Sequence, residues 1–151
     1  MKRINVKTWD ETFMSIAHVI KERSKDPSTQ VGACIVSSDN RILSIGYNGA
    51  PNGFDDDKFP WGRESDRLLD TKYPFVVHAE RNAVLNFRGN LRELQGSRVF
   101  VTLFPCNECS KELAQIGVKE VIFEKEPILK DDLYFASKRI LEECGIKTSQ
   151  F

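Results

Sequence analysis

The chain is 151 residues long and 40% hydrophobic, enough for one real core, and a single domain spanning residues 1–151 is expected. Its 22 basic and 22 acidic residues cancel, which excludes a strong global field for gripping nucleic acid or an anionic membrane, so neither partner is expected. No apolar run approaches the roughly 20 residues that span a bilayer. Met1-Lys-Arg leads into Asn5 and Lys7 rather than a signal-peptide core, and a soluble, cytoplasmic protein is expected.

Thr8-Trp-Asp-Glu11 fits a capping box, and Phe13, Ile16, Ala17 and Ile20 recur on one helical face, predicting a helix from about Trp9 to Ser24. Val31 to Val36 and Ile42 to Tyr47 are rich in strand formers and flank a turn-forming Ser-Asp-Asn-Arg, which reads as an antiparallel hairpin. From Asn48 to Pro74 the glycines and prolines break any period, and Asp55-Asp-Asp57 is expected to be solvated. A loop of that length inside a domain is usually functional or mobile.

Beyond it the pattern predicts a helix over Val77 to Phe87, a strand over Val99 to Leu103, a helix over Cys106 to Ile116 closed by Gly117, and a strand over Val118 to Phe123. A last helix, capped by Asp131 or Asp132, runs through Glu143 to a stop at Gly145, and Ile146-Lys-Thr can add a short strand. This order implies an α/β fold, a three-layer α/β/α sandwich around a mixed sheet of five strands when the last is counted.

Four cysteines could make two disulfides, but a chain with an ample core needs no such staple. Cys34 falls in an apolar run and Cys144 at the end of a helical pattern, while Cys106 and Cys109 form a C-x-x-C. His78-Ala-Glu80 and Pro105-Cys-Asn-Glu-Cys109 each fall at a predicted helix start, where side chains and free N–H groups can converge. His78, Cys106 and Cys109 make a three-ligand zinc set, which leaves a fourth tetrahedral position open for water, as a catalytic site requires. His18 and Cys34 are poor candidates for a fourth protein ligand, and no second zinc site is expected. Glu80, two residues from His78, can stand beside the metal's water without binding the metal, which suits a proton shuttle.

H-x-E followed by P-C-x-x-C is the signature of zinc nucleobase deaminases. At these residues the chain resembles the cytidine and deoxycytidylate deaminase superfamily, and within it the deoxycytidylate deaminases. The narrower likeness rests on Ser24-Lys-Asp-Pro-Ser-Thr-Gln-Val-Gly32, Gly46-Tyr-Asn-Gly-Ala-Pro-Asn-Gly53, Leu69-Asp-Thr-Lys-Tyr-Pro74 and Leu103-Phe-Pro-Cys-Asn-Glu-Cys109. It implies a cytidine-deaminase-like fold, one catalytic Zn2+ per chain, and deamination of dCMP to dUMP and ammonia, feeding thymidylate synthesis. It also implies activation by dCTP and inhibition by dTTP in a homo-oligomer, a hexamer. By matching positions, Asn48 should contact the deoxyribose, Ala79 should line the substrate pocket, Ser24 and Lys25 should approach the 5′-phosphate with Tyr134 as a further partner, and Glu80 should face N3 and the departing amine. Asn48, Gly49, Pro51, Asn52 and Gly53 resemble the family's effector loop. Arg63, Arg67 and Lys72 could meet an effector triphosphate, with Mg2+.

Each residue also has an ordinary role open to it: Lys25 a solvated charge, Asn48 a turn residue, Asp26 a cap, Tyr134 a core or rim side chain. Deaminases of free cytidine, of guanine or of adenosine in tRNA share the zinc chemistry, and a noncatalytic zinc-stabilised module is the rival from another class. The neutral charge balance speaks against a tRNA substrate, and the retained Glu80 with only three good ligands speaks against a purely structural zinc.

Overall fold

The computed structural model describes all residues, 1–151. Its elements in chain order are α1 (Trp9–Lys21), β1 (Gly32–Val36), β2 (Ile42–Tyr47), α2 (Ala79–Asn86), β3 (Arg98–Leu103), α3 (Asn107–Gln115), β4 (Glu120–Lys125), α4 (Asp132–Glu143) and β5 (Lys147–Gln150). Two short 3-10 turns, Leu68–Asp70 and Leu91–Leu94, interrupt the connecting segments. The strands form one mixed sheet in the order β2-β1-β3-β4-β5. β1 pairs antiparallel with both β2 and β3, whereas β3, β4 and β5 run parallel.

The period-two pattern of the strands separates two cores. Ala33 and Ile35 of β1, Val99 and Val101 of β3, and Val121 and Phe123 of β4 pack with Ala79, Ala83, Leu113, Tyr134 and Leu141 of α2, α3 and α4. The alternate residues Cys34, Val36, Phe100 and Ile122 pack on the other face with Phe13, Met14 and Ala17 of α1. The result is the expected three-layer α/β/α sandwich, with α1 alone on one side. Burial pushes the Cys34 thiol up to about 12, as suits an inert core cysteine.

Several boundaries differ from the sequence expectation, each for a local reason. α1 begins with the expected box, in which the Glu11 amide donates to the Thr8 hydroxyl at 3.2 Å and the Thr8 amide to the Glu11 carboxylate at 2.7 Å. It stops at Lys21 rather than Ser24, because Asp26 takes up the amides of Ser28 and Thr29 and Pro27 disfavours helix in the residue before it. β4 starts at Glu120 rather than Val118, since the Val118 amide closes α3 by donating to Leu113 at 3.1 Å across Gly117, whose φ is 79°. α2 starts at Ala79 rather than Val77, which instead bridges to Gly49.

Close packing fixes where α2 sits. A Cβ built on Gly46 of β2 would lie 2.4 Å from the Ala79 carbonyl oxygen and 2.3 Å from the Ala83 nitrogen, so only glycine admits this contact. The Asn82 amide group adds a 2.7 Å bond to the Tyr47 carbonyl and Asn86 one of 3.2 Å to Ile45. The first turn of α2 is thereby held on the end of β2.

Candidate active site

His78 and Cys106 are the N-cap residues of α2 and α3, both in extended conformation, so that their side chains face one another across the two helix starts. His78 Nδ1 lies 3.3 Å from the Cys106 sulfur and 3.6 Å from the Cys109 sulfur. The three donor atoms all fall within 4.8 Å of one another. A tetrahedral zinc with bonds of about 2.3 Å to sulfur and about 2.0–2.1 Å to nitrogen separates those atoms by about 3.6 Å, so the set fits the ion with little adjustment.

The donor chemistry fits as well. A hydrogen bond from the Cys109 thiol, followed by the His78 ring, holds the Cys106 thiol well below its ordinary range despite burial. The same shared proton, with burial, pushes Cys109 up. His78 is raised, chiefly by its hydrogen bond to Cys106. Two sulfurs and an imidazole nitrogen thus share protons at one centre, a donor set suited to a soft divalent cation. Behind it, the buried Ser137 hydroxyl of α4 donates to the Pro105 carbonyl at 2.7 Å and shares a 2.7 Å bond with Ser110, fixing the turn that carries Cys106.

A cavity of about 190 Å³ opens beside this triad and is lined by His78, Cys106, Ala79, Glu80, Asn48 and Phe104, among others. Glu80 is 5% exposed, and burial pushes its carboxyl up to about 7, with the His78 ring pulling the other way. A carboxyl poised there both takes and gives protons near neutrality. Asn48 lines the cavity while its side chain binds main chain on both sides, accepting from the Val31 amide at 2.8 Å and donating to the Thr29 carbonyl at 2.8 Å. It thus shapes the wall as well as facing the space.

The remaining residues singled out from sequence divide differently from the order in which they were expected. Ser24 does not line the cavity; its hydroxyl donates to the Asn48 carbonyl at 2.9 Å from behind. Lys25 points away, pairs with Asp56, and lines a second hollow of about 220 Å³ together with Arg23, Gly49, Pro51, Asn52 and Gly53. Tyr134 packs edge-on against Phe104 at 5.6 Å, and its hydroxyl donates to Glu126 at 2.8 Å, one layer behind the cavity. Arg63 and Lys72, read from sequence as effector contacts, line the catalytic cavity instead. Arg67 pairs with Asp70 at 4.0 Å on the surface and lines neither space. Sequence reasoning missed Asp26 as a cavity residue and Arg23 in the second hollow. A charged residue followed by Pro at the end of a helix was the available signal for the first, and it reads equally as a cap.

Residues 7–125 match the family described as the cytidine and deoxycytidylate deaminase zinc-binding region. A deoxycytidylate deaminase of Homo sapiens is 47% identical over 150 residues, covering 99% of this chain and 83% of that protein. A probable deoxycytidylate deaminase of Drosophila melanogaster is 47% identical over 152 residues, covering 97% and 73%. Among solved structures, a dCMP deaminase from the cyanophage S-TIM5 in complex with dCMP and dUMP superposes with a TM-score of 0.74 at 30% identity, covering 93% of this chain and 95% of that one. With a family match over most of its length, and with a His/Cys/Cys group that could hold a metal beside a buried glutamate, the chain belongs to the cytidine and deoxycytidylate deaminase family of hydrolytic zinc enzymes.

Proposed function

We propose that this protein deaminates dCMP to dUMP and ammonia, supplying dUMP for thymidylate synthesis. The observation that carries the reading is a single cavity that brings the buried Glu80 carboxyl, the His78–Cys106–Cys109 set and the Asn48 wall together. The substrate is suggested by relatives named deoxycytidylate deaminases and by the dCMP and dUMP complex of the cyanophage protein.

His78, Cys106 and Cys109 would hold zinc, which when bound would act as a Lewis acid and lower the pKa of water towards about 7. Glu80 takes a proton from the water that attacks C4 of the cytosine ring and passes it to N3. It then takes the remaining proton from the hydroxyl added at C4 and delivers it to the 4-amino group, the C4–N bond breaks, and ammonia leaves as the C4 carbonyl forms. Ala79, fully buried at the start of α2, lets the ring approach the helix, and Asn48 meets the deoxyribose.

Regulation belongs to the same reading: dCTP activates and dTTP inhibits a homo-oligomer, a hexamer, in the cytoplasm. Support comes from the second hollow, where the backbone of Gly49, Pro51, Asn52 and Gly53 meets the cations of Arg23 and Lys25, a setting suited to a triphosphate with Mg2+. No helix is long and apolar enough to cross a membrane.

Ammonia release from a panel of dCMP, CMP, deoxycytidine, cytidine, guanine and a tRNA anticodon stem tests the substrate assignment. Highest kcat/KM for dCMP is expected; equal or better use of a free nucleoside, guanine or the tRNA stem would overturn it.

A further inference from the structure

Of the Asp, Glu, Lys and Arg side chains only those of Asp26, Lys72 and Glu80 are buried, and all three line the catalytic cavity. Glu80 has its role. Asp26 and Lys72 form an ion pair with Nζ and Oδ2 2.5 Å apart, in which the Asp26 side chain is wholly buried and that of Lys72 retains 7% exposure. A buried pair gains little over apolar residues of the same volume, so stability alone gives no reason to place one in a cavity wall.

Counting donors and acceptors shows what is left over. One Asp26 oxygen accepts from the amides of Ser28 at 2.8 Å and Thr29 at 3.1 Å, and the other takes the Lys72 ammonium, so both carboxylate oxygens are engaged. The ammonium carries three N–H groups, and only the one to Asp26 has a partner in the chain. Its backbone is pinned as well: the Lys72 amide donates to Gly62 at 3.0 Å, and its carbonyl accepts from Phe75 and Val76 at 2.9 and 2.8 Å. Arg63, whose Nε donates to the Tyr73 hydroxyl at 3.3 Å, lines the same cavity with its other guanidinium donors unengaged. By contrast Lys25, the cation that the family resemblance suggested for this task, is 60% exposed, already paired with Asp56, and part of the other hollow.

We propose that Lys72, aimed by the buried carboxylate of Asp26, is the cation that receives the 5′-phosphate of the nucleotide substrate, with Arg63 assisting at the rim. Asp26 is then a positioning residue. This rests on the reading of the substrate as a nucleoside monophosphate. Two fixed N–H groups on an ammonium match a phosphate oxygen pair, and the desolvated setting strengthens the contact relative to a surface lysine.

The test compares kcat/KM for dCMP and for deoxycytidine in the zinc-loaded wild type, in Lys72→Met, and in the Asp26→Asn/Lys72→Met double variant, which leaves no uncompensated buried charge. Losing charge-assisted bonds to phosphate is expected to lower kcat/KM for dCMP about 10- to 100-fold, mainly through KM, while deoxycytidine turnover stays within about threefold of wild type. A wild-type preference for dCMP that survives in both variants would overturn this assignment and leave the substrate reading standing. An equal loss on both substrates in both variants would also overturn it, since that is the mark of a merely structural pair. A wild type that treats the nucleotide and the nucleoside alike would overturn the substrate reading and this subsite together.

Discussion

Gly49 and Val77 exchange both main-chain hydrogen bonds, the Gly49 amide donating to Val77 at 3.0 Å and the Val77 amide to Gly49 at 2.9 Å. The bridge joins a residue of the second hollow to the residue preceding His78, so the two sites share one piece of backbone. Gly49→Pro deletes one donor of the bridge and leaves the Val77 carbonyl without its partner, a cost of about 1 to 3 kcal/mol. Faster zinc loss to a chelator is expected. Gly49→Ala, whose new Cβ would have nothing nearer than a Tyr47 ring carbon at 3.9 Å, is expected to hold zinc as wild type does. Equal zinc retention in the proline variant would show that the bridge does not position His78.

The contact of β2 with α2 predicts a sharp stability effect. Gly46→Ala drives a methyl group into the backbone of α2, and backbone cannot give way as a flexible side chain can. The loss should reach about 1 to 3 kcal/mol or more in urea unfolding. A variant within 0.5 kcal/mol of wild type, an effect of roughly surface-substitution size, would mean that α2 is not seated as described.

If the second hollow takes the effectors, dCMP saturation should be sigmoidal, made hyperbolic by dCTP and depressed by dTTP, with coupling of about 1 to 3 kcal/mol. Arg23→Gln and Asn52→Ala, both altering the lining of that hollow, should shrink the shift in half-saturation that each triphosphate causes. Unaltered responses in both variants would move the effector site elsewhere. A hyperbolic, unresponsive wild type that sediments as a monomer would remove regulation from the proposal while leaving the zinc chemistry intact.

Lys130, then the Tyr134 hydroxyl and Lys138, hold the Glu126 carboxyl down at about 2. A carboxyl depressed on folding stabilises the protein above its ordinary pKa near 4.5, and that contribution fades as pH falls towards about 2. Glu126→Gln should therefore unfold earlier than wild type at pH 6, with the gap closing as the solution is acidified to pH 2. A gap that is constant across this range would assign the difference to packing against Tyr134 instead.

Much of the fold and the metal centre was legible because both are written in local pattern. Helical and strand periods placed the four α-helices and the first four strands, while the polar β5 was expected only as a short addition at Ile146-Lys-Thr; the spacings His78-x-Glu80 and Cys106-x-x-Cys109 bring their side chains together once each motif opens a helix. The cations were not legible in this way. Lys25 and Lys72 both look like solvated charges in irregular sequence, and what separates them is the long-range bond of the Lys72 amide to Gly62 and the partner each finds, Asp56 or Asp26. The early end of α1 and the late start of β4 share that cause, since in each case a backbone or side-chain group was already committed to a turn.

The most direct test of the catalytic centre is the turnover of dCMP by Glu80→Gln, with zinc content measured on the same sample. Glutamine keeps the size of the side chain, and Glu80 is not among the three metal donors, so zinc should remain at one per chain. Ammonia release should fall about 10²- to 10⁴-fold, because the other carboxylate lining the cavity, Asp26, is committed to the Ser28 and Thr29 amides and to Lys72. Near-normal turnover by the zinc-loaded variant would contradict the assignment of Glu80 as the proton carrier.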